Sequence, residues 1–452
     1  MRQPAGYDRR VETAAIRYAQ NGEVSIAYTT FGEGEIDMIF VGGFVSHLEI
    51  ATELSHAQRF WERLGSFVRV IAFDKRGMGL SDRSGGAYTI EGVSEDMVAV
   101  LDAVGCDRAA VFGVSEGGSA ATMFAASHPE RTSHLIEFGT YARMAQAEDC
   151  PEGIPLETMR RFNAAMREQW GEPAMLRFWA PEWAEDAEAR EWWARLLRNG
   201  GGPAVARALE EMYEELDVRP LLPLVKVPSL ILWRAGDRLV PPALSRAVAE
   251  GIPGARGVEL DGAAHLFLAD DQDALLGEIE EFLTGQRRDV APERALATVL
   301  FTDIVGSTER AAAEGDARWR QLLTEHDRIA RRAVERERGR LVKSTGDGLL
   351  ASFDGPARAI TAATGLRDGL AGIGLPIRAG VHTGECERIG DDLGGIAVHI
   401  GARVGSAAGA GEVLVSQTVR DLVVGSGIEF EDRGAQQLKG VPGEWRLFAV
   451  RG

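Results

Sequence analysis

Cysteine is scarce in this sequence of 452 residues, and its scarcity excludes two kinds of architecture. Only Cys106, Cys150 and Cys386 occur, widely spaced and without a C-x-x-C pair. Such a set provides neither a disulfide framework nor the cysteine pairs of a structural zinc site. We therefore expect reduced thiols and a cytoplasmic protein.

Long apolar runs and an excess of positive charge are also lacking. No stretch of 18 apolar residues occurs and Met1–Arg10 is polar, so neither a membrane span nor a signal peptide is expected. Asp and Glu outnumber Lys and Arg by 68 to 50, which gives a net charge of −18. This charge argues against a nucleic-acid-binding protein, because phosphates would be repelled.

Short apolar runs alternate with helical patterns between Ile36 and Phe282, which is typical of a βαβ series. The predicted strands are Asp37–Val41, Val68–Phe73, Ala109–Phe112, His134–Phe138, Ser229–Trp233 and Ala255–Leu260. Most of these runs are continuously apolar, which suits a parallel sheet covered on both faces. The sequence therefore predicts an α/β domain over residues 1–286.

A helical stretch at about 142–217 interrupts this alternation and holds five of the nine tryptophans. They are Trp170, Trp179, Trp183, Trp192 and Trp193. One interpretation is an ordinary helical insertion with a tryptophan core. The other is a lid with an apolar underside that faces a substrate, and the two are compatible.

A polar, Pro-containing segment at 287–296 has the composition of a linker. A second domain is predicted over 297–452. Its predicted elements are a strand (297–304), a helix (about 317–338), a hairpin (340–353), a helix (356–370), a strand (376–382), a helix (about 397–408) and a strand (412–416).

Gly113-Val-Ser115-Glu-Gly117 matches the nucleophile motif G-x-S-x-G. The motif requires a strand–turn–helix context, and a strand is predicted before Ser115 and a helix from Gly118. The flanking glycines would permit so sharp a turn. Such a turn would expose the Ser115 hydroxyl and point the Glu116 N–H toward a developing oxyanion.

A nucleophilic serine needs a base and an orienting carboxylate. Asp237 follows the strand that ends at Trp233, and His265 follows the next predicted strand. Each of these residues alone has an ordinary explanation, as a turn aspartate or a surface histidine. The order Ser115, Asp237, His265, with each residue just beyond a strand, predicts a catalytic triad at the ligand-binding edge of the sheet.

On these residues, the chain resembles the α/β-hydrolase family over about 24–285. Asp74–Asp82 is similar to that family's D-x-R-G-x-G-x-S segment. The family usually has His-Gly after its third strand, whereas this chain has Val41-Gly-Gly-Phe44. By the resemblance, the Phe44 N–H is the second oxyanion donor beside Glu116, and the substrate is an ester or lipid.

Two aspartates in the second domain are candidate metal ligands. Asp303 ends an apolar strand and is followed by Gly306-Ser-Thr308, a turn of small residues whose N–H groups suit phosphate oxygens. Asp347 lies in the turn of the predicted hairpin. If the strands are neighbours, the two carboxylates converge and can share two magnesium ions, which prefer one or two carboxylates plus phosphate.

A third cluster joins Asp392 to His399 and Arg403. His399 and Arg403 are four residues apart on a predicted helix and so face the same side. An arginine there can stabilise charge at phosphorus as pyrophosphate leaves.

The spacing of these motifs resembles the class III adenylyl and guanylyl cyclase catalytic domain, an α+β fold of ferredoxin-like type. The resemblance implies that Asp303, Ile304 and Asp347 bind Mg²⁺ or Mn²⁺, two ions per active site. It assigns triphosphate binding to Gly306, Ser307, Thr308 and Lys439, adenine reading to Lys343 and Asp392, and transition-state contacts to His399 and Arg403. A guanine-reading relative would typically have Glu and a small residue in place of the lysine–aspartate pair, so ATP is favoured over GTP. His399 departs from the asparagine of better-known members, although a bacterial subgroup has histidine there.

In this family each site lies between two subunits, so a homodimer with two equivalent sites is implied. The whole chain resembles bacterial, mainly actinobacterial, fusions of a lipase-like or esterase-like domain with an adenylyl cyclase. Three interpretations stay open. Both domains are catalytic, or the hydrolase domain only binds a ligand and regulates the cyclase, or the chain is mainly an esterase whose cyclase fold serves as a dimeriser.

Overall fold

The computed structural model describes residues 15–83, 88–287, 293–344, 347–389 and 392–451. The chain forms two compact units, Met1–Asp289 and Val290–Gly452. Residues 288–292 of the proposed linker and the polar segment Met1–Arg10 lie outside the described residues. Within the described ranges, no helix is both long and apolar enough to cross a membrane.

An eight-stranded sheet with the order β1-β2-β4-β3-β5-β6-β7-β8 organises the first unit. Its strands are β1 (Arg17–Asn21), β2 (Val24–Phe31), β3 (Ile36–Val41), β4 (Val68–Phe73), β5 (Ala109–Val114), β6 (Thr132–Phe138), β7 (Ser229–Arg234) and β8 (Arg256–Leu260). The pairs from β4 to β8 are parallel, whereas β1 and β2 add antiparallel strands at one edge. Every residue of β5 and β7 is buried, as expected for central strands of a sheet covered on both faces.

Nine α-helices accompany this sheet in the described part of the unit. They are α1 (Ser55–Gly65), α2 (Ile90–Val104), α3 (Glu116–Ser127), α4 (Leu156–Glu168), α5 (Leu176–Trp179), α6 (Ala187–Gly200), α7 (Pro203–Glu215), α8 (Pro242–Gly251) and α9 (Gln272–Thr284). Local signals fix several ends: Thr89 accepts the Gly92 N–H at the start of α2, and Gly105 ends it with φ of 71°. Helices α4–α7 form the insertion between β6 and β7.

All six strands predicted for the first domain are present, with ends that shift by at most two residues. Strands β1 and β2 are absent from the prediction. β1 lies at the edge of the sheet and is mostly exposed. β2 lies inside the sheet with buried and half-buried residues, but serine and threonine interrupt its apolar residues. Neither strand is continuously apolar, so neither fits the pattern used for the prediction.

The second unit is a mixed sheet with helices, whose strand order is β10-β11-β9-β12-β14-β16-β15 with β13 paired to β12. Its strands are β9 (Glu293–Ile304), β10 (Arg340–Ser344), β11 (Gly348–Phe353), β12 (Ile377–Ile389), β13 (Asp392–Gly394), β14 (Val413–Ser416), β15 (Phe430–Gln437) and β16 (Glu444–Val450). Its helices are α10 (Ser307–Glu314), α11 (Asp316–Arg336), α12 (Pro356–Ala371), α13 (Ile396–Ala407) and α14 (Gln417–Leu422). The seven predicted elements occur in the predicted order.

Several features of this unit differ from the prediction, which lacks α10, β13, α14, β15 and β16. Ser307 and Thr308, expected in a turn, begin helix α10, and only Gly306 before them has the left-handed φ of 67°. The strand predicted to end at His382 continues to Ile389 because it pairs with β9 along its whole length.

Candidate active sites

Ser115 lies in the turn between β5 and α3 with φ of 55° and ψ of −128°. This strained backbone, which costs about 1–3 kcal/mol in a non-glycine residue, is typical of a functional turn. Two glycines make room for it. A Cβ on Gly113 would lie 2.5 Å from the Gly117 carbonyl oxygen, and one on Gly117 would lie 2.2 Å from the Val41 carbonyl oxygen.

His265 and Asp237 lie side by side, with 2.7 Å between Nδ1 and Oδ2, and both side chains are almost fully buried. The other Asp237 oxygen accepts the N–H groups of Leu239 at 2.8 Å and Val240 at 3.1 Å. A carboxylate held in this way accepts the Nδ1 proton and leaves Nε2 free to act as a base. His265 and Ser115 line the same cavity, so the structure brings the three predicted residues to one place.

Arg234, which the sequence analysis did not single out, holds the loop that carries His265. Its guanidinium is fully buried and donates to the carbonyl oxygens of Ala264 at 2.9 Å and Leu266 at 2.8 Å, and to that of Ala269. Arg234 therefore holds the backbone carbonyl groups on both sides of His265 in place. Arg234 belongs to no recognisable motif, so the sequence pattern does not distinguish it from an exposed surface arginine.

The two predicted oxyanion donors flank Ser115. Glu116 is the first residue of α3, and Phe44 follows β3 with φ of 54°, a conformation that is unusual for a bulky residue. Gly43 lies against the nucleophile turn, because a Cβ on it would be 2.6 Å from the Ser115 Cβ. The backbone of the Gly43–Phe44 segment thus lies against the Ser115 turn.

Two apolar cavities meet at Ser115, one of about 120 Å³ and one of about 330 Å³. Phe44, Ser115 and Trp179 line both cavities. The lining of the smaller cavity includes aromatic residues of β3, α1 and α6, namely Phe40, Trp61, Trp192 and Trp193. The larger extends under α4 and α7 and includes Met159, Phe162, Met166, Leu209 and Tyr213.

Four tryptophans of the insertion are core residues, and two of these also lie against the Phe44 ring at the cavities. Trp179, Trp183, Trp192 and Trp193 are buried, as core residues are. At the same time the rings of Trp179 and Trp193 lie 5.1 and 6.1 Å from the Phe44 ring and form walls of the cavities. The insertion packs its aromatic core directly over the nucleophile.

Glu137 is a fully buried acid on β6, opposite Gly113 of the nucleophile motif. Burial raises its pKa to about 8 from the ordinary 4.5, although Thr122 donates to it at 2.6 Å. Because the folded state favours the neutral acid, its contribution to stability is full below pH 4.5 and is lost as pH rises towards 8.

Glu137→Gln should therefore raise the free energy of unfolding at pH 8.5 by on the order of 3 kcal/mol, and change it little at pH 5. Denaturant unfolding followed by tryptophan fluorescence at both pH values measures the difference. An equal effect at both pH values would contradict the assignment of a neutral buried acid.

In the second unit, Asp303 near the end of β9 and Asp347 just before β11 lie at the same end of the sheet. Asp303 on β9 is in register with Gly348 on β11, and the Ile304 N–H donates to the Asp347 carbonyl at 2.9 Å. Ser307 donates its hydroxyl to the Asp347 carboxylate at 2.6 Å. The predicted condition for convergence, that the two strands are neighbours, is met.

Arg378 on β12 is a further charged group at this place, and the sequence analysis missed it. It is in register with Asp303, and its guanidinium donates to the Asp303 Oδ2, with 2.8 Å from Nε. The sequence pattern places Arg378 in a strand predicted to start at residue 376. It does not show that this strand, β12, pairs antiparallel with β9, and only this pairing puts Arg378 beside Asp303. The arginine provides a local positive charge in a strongly acidic chain.

The donor set suits a hard divalent cation. One carboxylate near the end of β9 and one just before the neighbouring β11, with the adjacent Ile304 backbone, match the preference of Mg²⁺ and Mn²⁺ for oxygen ligands. Among the described residues no cluster of three or more His, Cys, Asp or Glu side chains forms a complete metal cage. An ion there would therefore complete its coordination with phosphate oxygens and water, as magnesium commonly does in nucleotide sites.

The remaining predicted residues lie on other elements of the same unit. Lys343 is exposed on β10, His399 and Arg403 are exposed on α13, and Lys439 is exposed after β15. Asp392 is the first residue of β13, and its side chain, like that of Thr308, lies outside the part of the chain that the structure describes.

Two family models match the chain, one in each unit. The family model of the α/β hydrolase fold matches residues 40–272, which is more than half of the chain. The family model of the adenylate and guanylate cyclase catalytic domain matches residues 290–452. The chain therefore belongs to the α/β hydrolase family and carries, fused to that domain, a cyclase catalytic domain.

Relatives of the first domain act on different bonds. The chain is 30% identical over 262 residues to "Putative carbamate hydrolase RutD" of Azorhizobium caulinodans, covering 57% of this chain and 94% of that protein. It is 28% identical to 3-oxoadipate enol-lactonase 2 of Acinetobacter baylyi, covering 48% of this chain and 77% of the relative. A solved enol-lactonase from Burkholderia xenovorans is 25% identical with a TM-score of 0.50, covering 59% of this chain and all of that one.

Proposed function

We propose that the second domain is an adenylyl cyclase that converts ATP to 3′,5′-cyclic AMP and pyrophosphate. The observation that carries this proposal is the adjacency of Asp303 and Asp347 at one end of the sheet, beside Arg378. Bound Mg²⁺ or Mn²⁺ ions would supply charge neutralisation of the triphosphate and acidify the ribose 3′-hydroxyl. Gly306, Ser307 and Thr308 at the start of α10 would donate backbone N–H groups to phosphate oxygens.

Arg403 is proposed to stabilise the negative charge that grows at phosphorus as pyrophosphate leaves, with His399 one turn away on the same face of α13. Lys439 would contact the triphosphate. These side chains are exposed in the single chain, which suits groups that complete the site of a second copy. We therefore propose a homodimer in which one protomer gives the carboxylates and the other gives Lys343, Asp392, His399 and Arg403.

Turnover of ATP and GTP side by side tests this function. We expect cyclic AMP production with Mn²⁺ or Mg²⁺ to exceed cyclic GMP production roughly tenfold or more, because unpaired polar groups in a base-reading site are costly. Lys343→Glu/Asp392→Gly should shift the preference towards GTP, and Asp303→Ala provides the inactive control. A wild-type chain that prefers GTP would overturn the adenine assignment.

We also propose that the first domain hydrolyses an apolar ester. The observation that carries this proposal is the meeting of a strained Ser115 and the His265–Asp237 pair in one cavity. His265 would take the proton of the Ser115 hydroxyl as it attacks the carbonyl carbon, and would later deliver that proton to the leaving alcohol. The N–H groups of Phe44 and Glu116 would hold the oxyanion.

The cavities support an ester with an apolar group on each side of the scissile bond. Their walls are mainly hydrocarbon and they meet at the nucleophile, so apolar acyl and alcohol groups fit them best. The charged residues in the lining are Asp74 in the smaller cavity and Glu210 and Arg238 in the larger. The relatives are named as enol-lactonases or as a putative carbamate hydrolase. Attack on a carbonyl carbon, as proposed here, is the chemistry that these names share, whereas their substrates differ. We propose that the insertion at about 142–217, which contains α4–α7, acts as a lid over this site. We also propose that the hydrolase domain spans 1–286, the linker 287–296 and the cyclase domain 297–452.

A further inference from the structure

Lys75 is a charged residue buried in the first unit, where the proposed mechanism gives it no role. Its side chain is 0% exposed, and so is that of its ion-pair partner Glu116, with 2.9 Å between Nζ and Oε1. The same ammonium donates to the Phe44 carbonyl oxygen at 3.0 Å and lies 5.3 Å from the centre of the Tyr88 ring. Burying two charges is costly even when they pair, so a pair at this depth is weak evidence for stability alone.

The position of the pair suggests what it does. Lys75 contacts the two residues whose N–H groups form the proposed oxyanion hole: Phe44 through its carbonyl and Glu116 through its carboxylate. These residues lie on different elements, the segment after β3 and the start of α3, and no other side chain that the structure describes is seen to donate to both. One ammonium thus connects the two halves of the hole.

Phe44 particularly needs such a restraint. Its φ of 54° is disfavoured for an aromatic residue. Relaxation to negative φ would reorient the Gly43–Phe44 backbone that lies against Ser115. A hydrogen bond from a buried ammonium to the Phe44 carbonyl fixes the next peptide plane and opposes that relaxation. Catalysis by oxyanion stabilisation depends on donors that are in place before charge develops.

We propose that Lys75 is a positioning residue that holds the two N–H donors of the oxyanion hole, those of Phe44 and Glu116, in position relative to each other. Its contribution is made in the transition state, when the carbonyl oxygen becomes negative, and not in the binding of the planar ester. This inference rests on the proposed ester hydrolysis at Ser115.

The double variant Lys75→Met/Glu116→Leu separates positioning from folding. It removes both charges while keeping the volume and the Glu116 backbone N–H, so the fold need not bury an unpaired charge. We expect kcat for a p-nitrophenyl ester to fall roughly 30- to 100-fold with KM changed less than about threefold, because one donor is displaced. Thermal unfolding of the same variant measures whether the domain remains folded.

An alkylboronic acid, which forms a tetrahedral adduct with a catalytic serine, provides the second readout. Its inhibition constant should rise by about the same factor as kcat/KM falls, while the Kd of the matching unreactive amide stays within about twofold. Arg63→Met/Glu280→Leu, which removes an ion pair between α1 and α9 away from the cavities, is the matched control and should leave kcat unchanged.

Two results would overturn the proposal, and they are distinguishable. A folded Lys75→Met/Glu116→Leu variant with wild-type kcat and wild-type boronate affinity removes the positioning role but leaves ester hydrolysis intact. A wild-type chain that neither cleaves the ester nor binds the boronate removes the proposed hydrolysis and the role of Lys75 with it.

Discussion

Replacing Ser115 with alanine is expected to lower kcat for an apolar p-nitrophenyl ester by about 10⁴-fold or more. The reason is that the serine, the base and the carboxylate act as a unit, so loss of the nucleophile removes the covalent route and leaves only binding and the oxyanion hole. Ser115 is held in the strained turn by its neighbours, so alanine should keep the cavity and the substrate affinity. Steady-state hydrolysis and binding of the unreactive amide measure the two quantities separately.

Glu137→Gln is a suitable control, since Glu137 lies beneath the same turn without lining either cavity. Hydrolysis that persists in Ser115→Ala at the wild-type rate would show that another group performs the reaction. If the wild-type chain binds the amide tightly yet cleaves no ester, the first domain is a binding module. A fall in cyclic AMP production in Ser115→Ala would reveal coupling between the two activities, which no motif in the sequence indicates.

The triad residues and the two aspartates that the sequence predicted all lie at or near the end of a strand, so the positions of the strands determine where these residues lie. Ser115, Asp237 and His265 follow strands of a parallel sheet, so chain order and strand ends suffice to bring them to one edge. For Asp303 and Asp347, the sequence predicted an apolar strand and a hairpin and left their pairing as a condition, which the structure meets.

The residues that sequence analysis missed act through partners that are distant in the chain. Lys75 meets Glu116 across 41 positions, and Arg378 meets Asp303 across 75. A lysine or arginine in isolation reads as a solvated surface residue, and only the strand order and register show that Lys75 is buried and that Arg378 is in register with a carboxylate. Strand β15 was missed for a related reason, since its exposed edge position leaves it with few apolar residues.

Mixing Asp303→Ala with Arg403→Ala is expected to restore cyclase activity that each variant lacks alone. Each single change should lower cyclic AMP production about 100-fold or more, because charge stabilisation at the phosphates is lost at both sites. In a mixed dimer, one site combines the intact carboxylates of the Arg403→Ala protomer with the intact arginine of the other. Random exchange of equal amounts makes half of the dimers mixed, each with one working site, so activity should return to about a quarter of wild type.

Asp303→Ala mixed with Asp347→Ala is the matched control, because the proposed site takes both carboxylates from one protomer, where Asp303 is paired with Gly348, the residue after Asp347. In that mixture neither site has both carboxylates, so no recovery is expected, even though subunits exchange as before. Recovery in both mixtures would point to general stabilisation by exchange, and recovery in neither would mean that one chain supplies the whole site. A strictly monomeric chain that cyclises ATP at the full rate would also show that one chain supplies the whole site, since Arg403 would then have to reach the carboxylates of its own chain.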